Sequence, residues 1–174
     1  MRRVLLGLLL GGLIAATTST AAVAERGSVA DDSGGAPAVI DITKLTVKNR
    51  DVRVLMQVQV RDLQDRGRFQ FYYWGPGGQP PAHSALVVVR LKDGEPVASF
   101  WKCGREDCDR TECDELLVEW DQDADVVSVS LRQDCFPRPH SDPDAPAPAV
   151  GRFFAYGLIG DHQDGTHLLT LDRG

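Results

Sequence analysis

Three of the four cysteines fall in one short stretch, KCGREDCDRTEC (residues 102–113), as Cys103, Cys108 and Cys113; the fourth is Cys135. Such a set could bind a metal, supply a reactive thiol or form disulfides. As a zinc motif it would read C-x4-C-x4-C-x21-C. That pattern lacks the close C-x2-C pairs of structural zinc sites, and no histidine falls within the cluster. An even number of cysteines leaves no spare thiol for nucleophilic chemistry, and four allow three disulfide connectivities.

The compartment decides between these chemistries. The chain opens MRRVLLGLLLGGLIAATTSTAAVAER, with basic Arg2 and Arg3, an apolar run over residues 4–16, and Ala22-Val23-Ala24 as a small-x-small cleavage signal. Residues 1–24 therefore read as a signal peptide cut after Ala24. The apolar run is too short for the ~20 residues of a membrane span. Export to an oxidising environment favours disulfides, and the favoured pairing is Cys103–Cys108 and Cys113–Cys135. The second pair presents a difficulty. It would close the hairpin LLVEW-DQDAD-VVSVSL, yet matching the apolar faces of that hairpin points Cys113 and Cys135 to opposite sides. A bulge, or Cys113 lying in the loop before the strand, would reconcile them.

Other chemistry-bearing residues are less organised. Asp121, Asp123 and Asp125 alternate as in calcium loops, but Val126 and Arg132 stand where an EF-hand needs Gly and Glu. They read as a solvated turn, and no metal or cofactor is expected. His83, His140, His162 and His167 belong to no GxSxG or HExxH setting. His162 and His167 lie near Asp161 and Asp164 in a C-terminal hairpin, as a surface grouping. A glycosidase-like carboxylate pair has many candidates, and none stands out.

The elements that must position these residues are strands. Removing Arg2 and Arg3 from the 19 basic residues leaves 17 against 25 acidic, a formal charge of −8 for residues 25–174. That balance disfavours nucleic acid and anionic membranes as partners, and no membrane insertion is expected after signal cleavage. A chain of this length forms one domain with a sizeable core. Residues 25–37, ERGSVADDSGGAP, read as a flexible leader, so the domain spans residues 38–174. VRVLMQVQV places Val52, Val54, Met56, Val58 and Val60 on one face, with period two. ALVVVRL and PVASFW flank KDGE, whose Asp93-Gly94 suits a type I′ hairpin turn. About nine short strands and no helical period argue an all-β, antiparallel β-sandwich, clamped by disulfides.

DITKLTVKN, VRVLMQVQVRDL and GRFQFYYW together resemble the opening of a family of secreted bacterial proteins of unknown function, common in actinobacteria. That family carries a later cysteine pair around an acidic hairpin, similar to Cys113 and Cys135. More distantly, the chain is similar to family 9 carbohydrate-binding modules and DOMON-type sandwiches. The resemblance covers residues 40–73 best. WGPGGQPP stands where it would place an acidic segment, and no binding residue carries over.

Aromatic residues supply the functional lead. In the Asp93-Gly94 hairpin, Arg90 marks the solvent side, which Leu86, Val88 and Trp101 share. Tyr72 and Trp74 fall on the polar face of their own strand, beside Arg68 and Gln70. Such a platform suits a sugar or a partner protein, unless the Pro-rich segment FPRPHSDPDAPAPAV or a second sheet covers it. The sequence thus predicts a secreted, extracellular, non-catalytic binding module for a carbohydrate, envelope component or protein. An extracellular hydrolase with loop carboxylates is one alternative. The other is a structural or inhibitory exoprotein presenting the CGREDC loop.

Overall fold

A computed structural model describes residues 25–31, 34–75, 84–104, 107–136 and 148–174. Alternation of apolar and polar residues sets the architecture. β3 (Arg53–Val60) shows it most clearly, with Val54, Met56, Val58 and Val60 buried and their neighbours partly exposed. β3 lies centrally in a five-stranded sheet whose other strands are β1 (Glu25–Ala30), β2 (Ile42–Asn49), β8 (Leu117–Asp121) and β9 (Val126–Arg132), in the order β1-β2-β3-β9-β8. The second sheet runs β11-β10-β4-β5-β6-β7, formed by β4 (Arg68–Trp74), β5 (Ser84–Lys92), β6 (Glu95–Cys103), β7 (Cys108–Thr111), β10 (Val150–Ile159) and β11 (His162–Gly165). Its seventh strand, β12 (Leu169–Asp172), pairs with the first half of β10, while β11 pairs with the second half. All pairings are antiparallel, as the sequence predicts for a β-sandwich.

The core lies between the sheets. Phe69, Phe71 and Tyr73 of β4, Val87 and Val89 of β5, Phe100 of β6 and Phe153 of β10 meet Leu45, Val47, Met56, Val127, Val129 and Leu131 of the other sheet. Tyr73 and Phe136 pack with ring centroids 3.8 Å apart. Asn49 joins the sheets at one edge, donating from Nδ2 to the carbonyls of Leu171 and Asp172.

Twelve strands among the described residues replace the expected nine or so. The additional ones are β1, β7 and β11. β1 corrects the reading of residues 25–37 as a flexible leader: residues 25–30 pair with β2 from Glu25↔Asn49 to Ala30↔Lys44. The strand forms because Val29 packs on the core, and because Gly27 lies against the Leu171 and Leu169 side chains, where a Cβ would collide. Val52 is a second correction. It is 64 % exposed and precedes β3, its carbonyl accepting the Gln133 N–H. The expected signal peptide, residues 1–24, lies outside the described residues.

Both disulfides form with the expected connectivity, Cys103–Cys108 and Cys113–Cys135. Cys103 and Cys108 face each other across β6 and β7. Cys113 lies in the crossover from β7 to β8, before the strand begins, and Cys135 lies in a short 3-10 turn (Gln133–Cys135) after β9. Both cysteines are outside the β8–β9 ladder, so its alternation does not oppose their meeting. Within that ladder Val118↔Val129 and Trp120↔Val127 pair as the apolar pattern requires.

Candidate functional site

The Asp93-Gly94 turn fixes which side chains share the outer face of the seven-stranded sheet. Asp93 and Gly94 have φ of +56° and +83°, so both central turn positions are left-handed, as a type I′ turn requires. The resulting register pairs Lys92↔Glu95, Arg90↔Val97, Val88↔Ser99 and Leu86↔Trp101. Together with the neighbouring ladders it builds cross-strand rows. One runs Phe154–Tyr72–Leu86–Trp101–Arg110, the next Tyr156–Gln70–Val88–Ser99, and the third Leu158–Arg68–Arg90–Val97. These rows alternate with the core residues of the same strands, so they face outward.

The predicted site residues Trp101, Tyr72, Trp74, Leu86 and Val88 are therefore brought onto one face. Trp101, Tyr72, Leu86 and Val88 are partly buried and border open space. Trp74 requires correction as a contact residue. It occupies the face but is only 7 % exposed, with its ring edge-on to Phe154 at 6.2 Å and Pro148 against neighbouring Gly75. It supports the face and is not displayed by it. The segments 76–83 and 137–147, including the Pro-rich stretch, His83 and His140, lie outside the described residues.

Two aromatics on this face are absent from the sequence reading. Phe154 stacks on Tyr72 at 5.2 Å and meets Tyr156 edge-on at 4.2 Å. The Tyr156 ring in turn covers Gly165 of β11, where a Cβ would overlap it. In GRFFAYGLI both alternating sets carry large apolar residues, so the pattern alone does not reveal which set faces out. Tyr72 links this aromatic cluster to Leu86 across the next strand. Its phenol donates to Gln70 Oε1 at 3.2 Å. Burial lifts its pKa above the ordinary tyrosine value, nearby Tyr156 adds to that shift, and Arg68 opposes it.

Next to the cluster, the sheet surface holds a groove of about 720 Å³ lined by Arg68, Gln70, Leu86, Val88, Arg90, Lys92, Val97, Ala98, Ser99, Trp101, Cys108 and Arg110. Four of these side chains are cationic and none is a carboxylate. The ion pairs among the described residues lie elsewhere, at Arg53–Glu115, Arg61–Asp41, Arg132 with Glu115 and Asp134, and Arg173–Asp51. The Trp101 Nε1–H is shielded from solvent and meets no acceptor among the described residues. What the indole offers outward is therefore ring carbon.

The remaining candidates have structural uses. Asp121 Oδ1 accepts the Ala124 N–H at 2.9 Å, and Asp125 Oδ1 accepts the Leu63 N–H at 2.8 Å. The Asp121 carboxylate thus closes the turn between β8 and β9, that of Asp125 ties the turn to the β3–β4 connection, and Asp123 is exposed beside them. Among the described residues no three His, Cys, Asp or Glu side chains converge as metal ligands. His162 and His167 are exposed, whereas Asp164 is buried and accepts the Ile42 N–H at 2.6 Å on Oδ2. Burial raises the Asp164 pKa, with Asp31 and Asp41 adding to the effect and the Ile42 and Gly165 amides opposing it.

A second groove, of about 700 Å³, runs along the β7–β8 crossover and includes Glu112, Asp114 and Glu115. Glu115 is already held by Arg53 at 2.9 Å. No helix among the described residues is long and apolar enough to cross a membrane. Two disulfides fit an oxidising compartment. No protein-family model and no curated protein matches this chain, and the outer face of the seven-stranded sheet is the feature that a functional reading has to explain.

Proposed function

We propose that the chain is a secreted, non-catalytic binding module, and that its site is the outer face of the seven-stranded sheet. The observation that carries this reading is the groove beside Trp101, where Leu86, Val88 and the indole form an apolar floor within a rim of polar and cationic groups. A sugar ring has one apolar face and a polar periphery, and such a floor and rim match both. Carbohydrate is therefore the first ligand class, ahead of an envelope component of other chemistry or a protein.

The hydrolase alternative needs paired carboxylates free to exchange protons in a cleft. In the acidic groove at the crossover, the Glu115 carboxylate is ion-paired, and its backbone carbonyl accepts a second Arg53 N–H at 2.7 Å. The exoprotein alternative rests on the CGREDC loop, of which residues 105–106 lie outside the described residues.

A glycan array probed with residues 25–174 tests the proposal. Binding that disappears in Trp101→Ala, with the variant still folded, supports the outer face as the site. Binding that survives this substitution places the site elsewhere.

A further inference from the structure

We propose that the ligand of this face is an acidic polysaccharide, a glycan chain carrying repeated carboxylate or sulfate groups. The inference rests on the reading of the outer face as a glycan site and adds the charge of the ligand.

The placement of the cations favours an anionic ligand. Arg68 and Arg90 are direct cross-strand partners. Like charges opposite one another on a sheet face are destabilising, and ordinary sequences relieve this with a nearby carboxylate. None of Arg68, Arg90, Lys92 or Arg110 is ion-paired among the described residues. The nearest carboxylate in register is Glu95, opposite Lys92 at the end of the hairpin. Asp65 and Arg66 border Arg68 and Arg90 beyond the groove, and Asp65 forms no ion pair with either arginine among the described residues. An acidic chain, formally −8 over residues 25–174, thus gathers four cations around one groove, of which only Lys92 has a carboxylate opposite it in register.

The spacing of the cations favours a polymer. Neighbouring strands lie ~4.8 Å apart and residues rise ~3.4 Å along each strand, so Arg110 on β7 sits roughly 15–20 Å from the Arg68–Arg90 pair. One small anion cannot reach both. A polymer with an anionic group on successive residues can, while its sugar rings lie over Leu86, Val88 and Trp101 between the charges. The overall negative charge gives no long-range attraction to a polyanion. Recognition must act within the screening length of ~8–10 Å, where the groove cations dominate.

The test is affinity electrophoresis and titration of residues 25–174 with polygalacturonate, with its fully methyl-esterified form and with single-stranded DNA. We expect binding to polygalacturonate and at least tenfold weaker binding to the ester, which keeps the rings and loses the charges. Affinity should fall on the order of tenfold between about 50 and 200 mM salt. Arg90→Gln and Arg110→Gln should each weaken binding by up to about tenfold. Arg90→Gln should also leave the melting temperature unchanged or raise it, because it removes the repulsion with Arg68. A residue with only a structural role would show the opposite, a lower melting temperature.

Equal binding to the acid and the ester, both lost in Trp101→Ala, would overturn the charge inference and leave the glycan site standing. DNA binding as tight as polygalacturonate binding would overturn it in favour of a general polyanion surface. A folded protein that retains neither polymer would overturn it as well, and failure on neutral glycans too would remove the glycan site itself.

Discussion

Trp101→Ala is the substitution on which the placement of the outer face can be judged without a ligand. A tryptophan buries about 150–250 Å² when packed. Trp101 is partly buried, so about 150 Å² is a reasonable share, worth ~4 kcal/mol at ~25 cal/mol per Å². An extended-chain reference overstates burial by roughly 10–40 %, which lowers this to about 3 kcal/mol. Truncation also removes the unpartnered Nε1–H, and losing an orphaned donor returns about 1 kcal/mol. The site borders an open groove, so water fills the space and no enclosed cavity is added. The net expectation is a loss of ~2 kcal/mol, or roughly 4–8 °C in melting temperature for a domain of this size. Chemical denaturation monitored by circular dichroism measures it, with Tyr73→Ala as a core control expected to lose about 3–5 kcal/mol. A Trp101→Ala loss of 4 kcal/mol or more would show the indole to be core, and the argument for a displayed face would fail. A loss below about 0.5 kcal/mol would show that the ring does not pack on the sheet as described.

Intact mass should be four hydrogens below the fully reduced value. Chain-entropy arithmetic gives a loss of about 3.4 kcal/mol on removing Cys113–Cys135, with its separation of 22, and about 2.1 kcal/mol for Cys103–Cys108, with its separation of 5; the reverse order in paired Cys→Ala variants would contradict it. The folded Asp164 carboxyl has a raised pKa, so its contribution is fully present below the unfolded value of about 3.8 and is lost as pH rises through the folded value. Asp164→Asn, whose Oδ1 still accepts the Ile42 N–H, should therefore gain stability relative to the parent as pH rises from 4 to 7; a relative loss over that range would reverse the sign. Burial pushes the Tyr73 phenol up to about 12, so absorbance titration should show at least one of the three tyrosines ionising well above 10.0. By the same sign rule, the stability from neutral Tyr73 is present below pH 10 and is lost as pH rises through about 12.

Several of these features are legible in the sequence because the signal is local. The period of β3 needs only eight residues, Asp93-Gly94 names its own turn type, and that turn sets the Leu86↔Trp101 pairing. Disulfide connectivity follows from compartment and loop length, and the face conflict disappears once Cys113 is placed in the crossover. Of the missed elements, β7 and β11 are four-residue strands that pair with the strand just before them, whereas the others depend on distant partners. β1 is small and polar, and becomes a strand only through pairing with β2 and contact with Leu169 and Leu171, more than 130 residues away. The outward position of Phe154 and Tyr156 follows from pairing with β4, because both faces of β10 carry large apolar residues. The gathering of Arg68, Arg90, Lys92 and Arg110 is a product of register across four strands, and no spacing along the chain encodes it.

The central claim is that ligand is met on the outer face of the seven-stranded sheet. Its most direct test is a nitrogen–proton NMR titration of residues 25–174 with short oligogalacturonate, followed at the three tryptophan indoles. Trp120, on β8 of the other sheet, donates from Nε1 to the Gln64 carbonyl at 3.1 Å, and Trp74 is buried beside Phe154. The account predicts that the Trp101 indole and the amides of Leu86, Val88, Ser99 and Arg110 shift together while the Trp120 indole stays in place. Shifts centred instead on Glu112, Asp114 and Glu115, with Trp101 unmoved, would contradict it.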